Sequence, residues 1–273
     1  MTFANLLVCE MRRALHRRLV WVLVAIAFVG IGLLGVIAFL DSGGKTVAEM
    51  TGEGTHPAVM VGWWVAGGGD GILLIGAFPL FIGGLLGGAS VAGAEWRAGT
   101  VTTLLTWEPR RVRVHLARAV STFVLATLIA IALEALFLAA ALPAVLAHGT
   151  TAGTDGDWWA GLVAAVLRIA VLTGATALLG NTLATLGRST GFAFGVAFAW
   201  VAVAEQLIRG LKPSVLNWLL VENMVTFITW ARLEGVKGAP SLSGSALTLA
   251  AYFAIAAVLA TVAFTRRDVG GAT

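Results

Sequence analysis

Long unbroken apolar runs, rather than alternating or amphipathic patterns, dominate this chain. A hydrocarbon core about 30 Å thick is crossed by about 20 apolar residues in helical conformation. Six stretches meet that requirement with few or no charges: about 19–40, 72–94, 117–146, 161–186, 190–209 and 246–265. The pattern predicts an all-α membrane protein, one transmembrane domain over 1–273 with six spanning helices. Two further segments read as helices that do not cross. TFANLLVCEMRRALHRR places Phe3, Leu6, Leu7, Met11, Ala14 and Leu15 on one face and basic residues on the rest. That pattern predicts an amphipathic helix over 1–18, lying in the interface before the first span. NWLLVENMVTFITWARL, at 217–233 in the long connection 210–245, is too short and too polar at its ends to span. It reads as an outer interfacial or re-entrant helix, with Trp218 and Trp230 at the boundary.

Glycines cluster in the second span at helical spacing. Gly83 and Gly87, Gly84 and Gly88, and around the fifth span Gly191 and Gly195, form GxxxG pairs. Small residues at this spacing let helix backbones approach closely. Pro79 is expected to kink or loosen the second span.

Composition agrees with the pattern: 59% of residues are hydrophobic and 12% charged. The charges that remain are informative by position. Arg12, Arg13, Arg17 and Arg18, then Arg97, Arg110, Arg111, Arg113 and Arg118, then Arg188, then Arg266 and Arg267 fall on one side of a six-span chain. The other side holds Lys45 against Asp41, Glu49, Glu53 and Asp70, then Asp155 and Asp157, then a mixed last connection. Positive residues favour the cytoplasmic side, which places both termini in the cytoplasm. The basic excess is therefore that of span ends and is no signature of nucleic-acid binding. Cys9 is the single cysteine, which leaves no disulfide framework within the chain and no cysteine metal site. Abundant alanine, glycine and arginine, with lysine rare, point to a GC-rich bacterial genome.

One cytoplasmic segment stands out. EWRAGTVTTLLTWEPRRVRVHLAR, residues 95–118, is dense in charge yet carries apolar Val101, Leu104, Leu105 and Trp107. A solvated loop accounts for its arginines alone. The apolar positions and the stop at Pro109 predict a short helix or elbow within 95–116 that docks on something. Its order of residues, Glu95, then Gly99-Thr100, Leu104-Leu105 and Pro109-Arg110-Arg111, resembles the segment after the second span in permease subunits of type-2 ATP-binding cassette transporters. The six-span layout and the basic N-terminal helix resemble that family too. Arg110 departs from it, since many members carry a small polar residue there.

The resemblance implies a division of labour. The segment, with the N-terminal helix, would seat as a coupling helix in a groove of a separate ATPase subunit, present in two copies. Glu95, Arg97, Gly99, Thr100, Pro109, Arg110 and Arg111 would be the coupling residues. A second permease chain, identical or different, would complete the path across the bilayer. ATP and Mg would be held by the ATPase partner, with no cofactor on this chain, and the direction would be export.

The residues themselves carry no motor or catalytic centre. A phosphate-binding loop needs G-x-x-x-x-G-K-[ST]; Gly44-Lys45-Thr46 matches its end, but Phe39 stands where its first glycine belongs. Gly67 to Asp70 fits a GxGD string, yet the spans hold no second aspartate to share a proton. His16, His56, His115 and His148 are scattered without metal-ligand spacing. Within the spans, Glu134 and Arg168 are costly in lipid and must pair or face a path. Asn181 either caps a helix contact or lines that path, and Glu205 sits where an outer gate would be. An ion-coupled secondary transporter is the alternative, although no inverted repeat or paired broken helices are visible. A non-transporting immunity or assembly subunit is another.

Overall fold

The computed structural model describes residues 2–53, 55–64, 71–99, 110–231 and 238–266, with the Arg97 side chain left out. Among these residues six helices are long and apolar enough to cross a membrane. They are α2 (Arg18–Ser42), α4 (Ile72–Ala98), α5 (Arg111–His148), α6 (Gly156–Gly187), α7 (Thr190–Leu211) and α9 (Leu242–Arg266). Shorter helices are α1 (Phe3–Leu15), α3 (Val47–Gly52) and α8 (Leu220–Thr229). This is the architecture of a multi-pass membrane protein. The expected coupling helix, with Thr100 and Pro109, lies outside the described residues.

The spans agree with the apolar runs, but two begin well before them. α5 starts at Arg111 rather than near 117, and α6 at Gly156 rather than near 161. Hydropathy stops where charge begins, whereas a helix continues as long as its backbone is satisfied. Asp155 supplies that satisfaction for α6, its side chain accepting from the Trp158 amide at 2.8 Å. α4 runs through Pro79 and stops at Gly99, whose φ of +65° is left-handed. Only glycine adopts that conformation without steric cost, and such a residue commonly ends a helix.

α6 is the hub. Over half of its apolar window, 56%, is buried, against 6% for α2. It packs on α4, α5, α7, α8 and α9, while α2 rests mainly on α5 and touches α4 little. The α4–α6 contact is a close backbone approach. A Cβ on Gly84 would lie 2.7 Å from the Thr173 carbonyl oxygen, and one on Gly88 would overlap the Ala177 carbonyl. Gly180, on the facing helix, abuts the Leu85 carbonyl in the same way.

The other glycines differ from expectation. A Cβ on Gly83, Gly87 or Gly195 would meet nothing within 4 Å, and one on Gly191 would meet only the Ser189 hydroxyl at 3.7 Å. The two overlapping GxxxG pairs of α4 point in adjacent directions on the helix, so only one can face α6.

The helices alternate in direction, giving the bundle two ends. At the end opposite α1, Trp158 donates from its indole to the carbonyls of Val61 and Trp64, each at 3.2 Å. Lys45 bridges Asp41 at 2.8 Å and Glu53 at 2.9 Å. The adjacent α3 begins with a Thr46–Glu49 capping box, whose backbone and hydroxyl hydrogen bonds hold the Glu49 carboxyl below its ordinary pKa.

Candidate functional site

Helical spacing puts Leu6, Glu10 and Ala14 of α1 on one face, and all three are buried, Leu6 in contact with Val114 and Ala117 of α5. The docked face therefore carries an acid, which the reading of α1 as a simple amphipathic helix did not place. Glu10 is 1% exposed, Glu95 at the end of α4 is 3%, and Arg118 in α5 is 0%. A buried carboxylate is tolerated only when paired. Arg118 answers both acids from the inside: its Nη2 is paired with Glu95 Oε2, and its Nε lies 3.6 Å from Glu10 Oε2.

Arg13 answers them from the outside, with Nη1 2.8 Å from Glu10 Oε1 and Nη2 2.8 Å from Glu95 Oε1. Arg17 lies 3.6 Å from Glu95 Oε1 and donates to the Val91 carbonyl at 2.9 Å. The Arg118 contacts are ion pairs without hydrogen-bond alignment. Burial lowers the pKa of Arg17 despite Glu95 nearby. Burial also opposes charge on Arg13, but Glu95 and Glu10 outweigh it and the net shift is upward. Both guanidinium groups remain charged.

An aromatic layer lies against this cluster. Phe264 of α9 sits 5.9 Å from the Arg118 guanidinium carbon, stacks on His115 at 5.5 Å and meets Trp96 edge-on at 6.5 Å. Arg188, left-handed at φ +53° in the α6–α7 turn, lies over Trp96 at 4.9 Å. Arg111 Nη1 donates to the Thr265 carbonyl at 3.4 Å. One junction thus fastens α1, α4, α5, α9 and the α6–α7 turn at the end where α4 stops and α5 starts.

The coupling residues expected from the sequence divide accordingly. Glu95 is interior and paired within the chain. Gly99 terminates α4, Arg110 is exposed as the residue capping α5, and Arg111 opens that helix. The Arg97 side chain, Thr100 and Pro109 lie outside the described residues. The sequence pattern gives Arg13, Arg17 and Arg118 only an orienting role and assigns none to Glu10. The one available signal was Glu10, the lone acid before Asp41 in a basic stretch.

The charged and amide side chains inside the spans find partners unevenly. Glu134 and Arg168 do not pair. Arg168 donates to the Ile228 carbonyl at 3.2 Å and lies over Trp230 at 4.5 Å. Glu134 is 1% exposed, with neither oxygen in a hydrogen bond. It lines a cavity of about 520 Å³ formed by α2, α4, α5 and α6, where Gly83 and Gly87 also lie. Glu205 is an anchor for α8. Fully buried, it accepts from the backbone amides of Leu220 at 2.7 Å and Val221 at 3.0 Å, and from the Trp200 indole at 2.9 Å. These are the unsatisfied first amides of α8, whose dipole favours an anion there. Asn181 is buried with no hydrogen bond to its side chain.

Compared with family models and with curated proteins, the chain matches none.

Proposed function

We propose that this chain is the permease subunit of an ATP-driven exporter of the type-2 ATP-binding cassette class. In this reading it sits in a bacterial cytoplasmic membrane with both termini in the cytoplasm. Two ATPase subunits dock at the α1 end, and a second permease chain completes the path. The observation that carries the reading is the buried Glu10–Arg13–Glu95–Arg118 cluster. It lies where α1 and the motif-bearing segment 95–118 meet the spans, the place where a motor would have to grip. Buried ion pairs are costly to separate, so a displacement of the segment is passed to α1, α4 and α5 together. Glu95 is then a relay inside the junction, and exposed Arg110 is the outward contact. ATP acts by binding one state of the ATPase pair better than the other, which shifts the population of the attached spans.

Purification of the tagged chain from its native membranes in mild detergent tests this. The expected result is a stoichiometric partner carrying a phosphate-binding loop, lost or strongly reduced with Arg110→Glu while the variant's thermal stability stays at the wild-type value. A chain that purifies alone, or an Arg110→Glu chain that keeps the partner in full, contradicts the proposal.

A further inference from the structure

The cavity beside Glu134 has three properties that belong together. Its walls are apolar, with Leu23, Ile31, Phe78, Pro79, Leu133 and Phe137 among them. Its volume, about 520 Å³, is that of a small-molecule site. It also contains a buried carboxylate to which nothing in the described structure is bonded. The groove opens between α2 and α4, where Ile26, Ile75 and Phe78 at its mouth are 60–64% exposed. α2 stands off α4, and Gly83 and Gly87 on α4 leave the space empty of side chains.

We propose that this groove is a binding site for a lipophilic monocation, with Glu134 as its counter-ion. As a substrate class this rests on the transport reading above; as a site on this one chain it does not. A carboxylate in an apolar wall is unfavourable as a bare ion, so such a group sheds its charge until a cation is there to pair with it. A neutral guest gives the ionised form nothing to pair with, and an anion opposes it. A metal ion or small hydrated cation would find one carboxylate and few other oxygen ligands to replace its water. A lipid headgroup amine belongs at the interface, whereas Glu134 lies well inside α5. A cation whose charge is spread over apolar groups loses little hydration, fills the walls and neutralises Glu134. Entry is lateral, from the bilayer.

The test uses the full chain in phosphatidylcholine nanodiscs and radiolabelled tetraphenylphosphonium, measured against empty discs. The wild type is expected to bind saturably at one per chain. Glu134→Gln should weaken binding by about 30-fold or more, the loss expected when a desolvated charge pair is broken. Glu134→Asp should retain most of it. Gly83→Leu fills the groove from a position with free space and should abolish binding in a folded protein. Neutral triphenylphosphine oxide should not distinguish wild type from Glu134→Gln. Because Glu134→Gln exchanges one unbonded buried polar group for another of similar size, its heat stability is expected to stay close to that of the wild type.

The proposal is overturned by wild-type uptake equal to that of empty discs, by Glu134→Gln titrating like wild type, or by unimpaired binding in Gly83→Leu. A second copy of the chain as the true occupant would give paired chains in each disc and no saturable uptake, which also overturns it. No ATPase is present in this assay, so failure removes the site and leaves the ATP-driven reading to its own test.

Discussion

Arg118→Met is expected to cost about 3–5 kcal/mol of stability, the range for stripping a buried charge of its partner. Methionine keeps much of the volume and of the contact with Phe264, so packing loss is small. What remains is electrostatic: Glu10 Oε2 and Glu95 Oε2 face inward, and Arg118 is the guanidinium that meets both. Arg13 and Arg17 reach the Oε1 atoms from the outer side. The variant should lose monodispersity in detergent at much lower temperature than the wild type. Adding Glu95→Gln to Arg118→Met should recover part of the loss, because one stranded charge is removed. Lys45→Met, which breaks an exposed pair at the other end, should change little. Equal behaviour of Arg118→Met and Lys45→Met would mean that the cluster does not hold the junction.

Gly88→Ala is the second large effect. The added methyl would overlap the Ala177 backbone carbonyl, which no rotamer change can relieve. α4 and α6 must separate, at a cost of about 1–3 kcal/mol or more for forced overpacking. The separation also disturbs Gly84 against Thr173 and Gly180 against Leu85. Gly83→Ala, one residue from the same row, enters open space and gains helix propensity of up to about 1 kcal/mol. Thermal stability should therefore fall sharply for Gly88→Ala and hold or rise for Gly83→Ala. The reverse order would place α6 on the wrong face of α4.

These two contrasts mark the boundary of what the sequence makes legible. Six apolar runs specify six spans because bilayer thickness constrains length directly. The same runs cannot say which side of α4 meets α6, so Gly83–Gly87 and Gly84–Gly88 looked equivalent. Charges were readable as totals on each side of the membrane, but pairing depends on rotation about each helix axis. Glu10 turns inward because it shares a face with Leu6 and Ala14, and Arg118 becomes its partner only once α1 lies on α5. Glu134 and Arg168 were natural partners by charge and by neighbouring spans. Arg168 instead finds the C-terminal carbonyl of Ile228 and the ring of Trp230, supplied by α8 and the residue that ends it. Glu205 was placed near a span end correctly, yet its role as acceptor for α8 depends on a contact that crosses a fold in the chain.

The most direct test of an ATP-driven permease is ATP hydrolysis by the co-purified ATPase, alone and reconstituted with this chain in liposomes. The wild-type chain is expected to change the hydrolysis rate, and Arg110→Glu, folded and inserted, to leave it unchanged. Hydrolysis indifferent to the wild-type chain, with solute movement that follows an ion gradient in the absence of ATP, would contradict it.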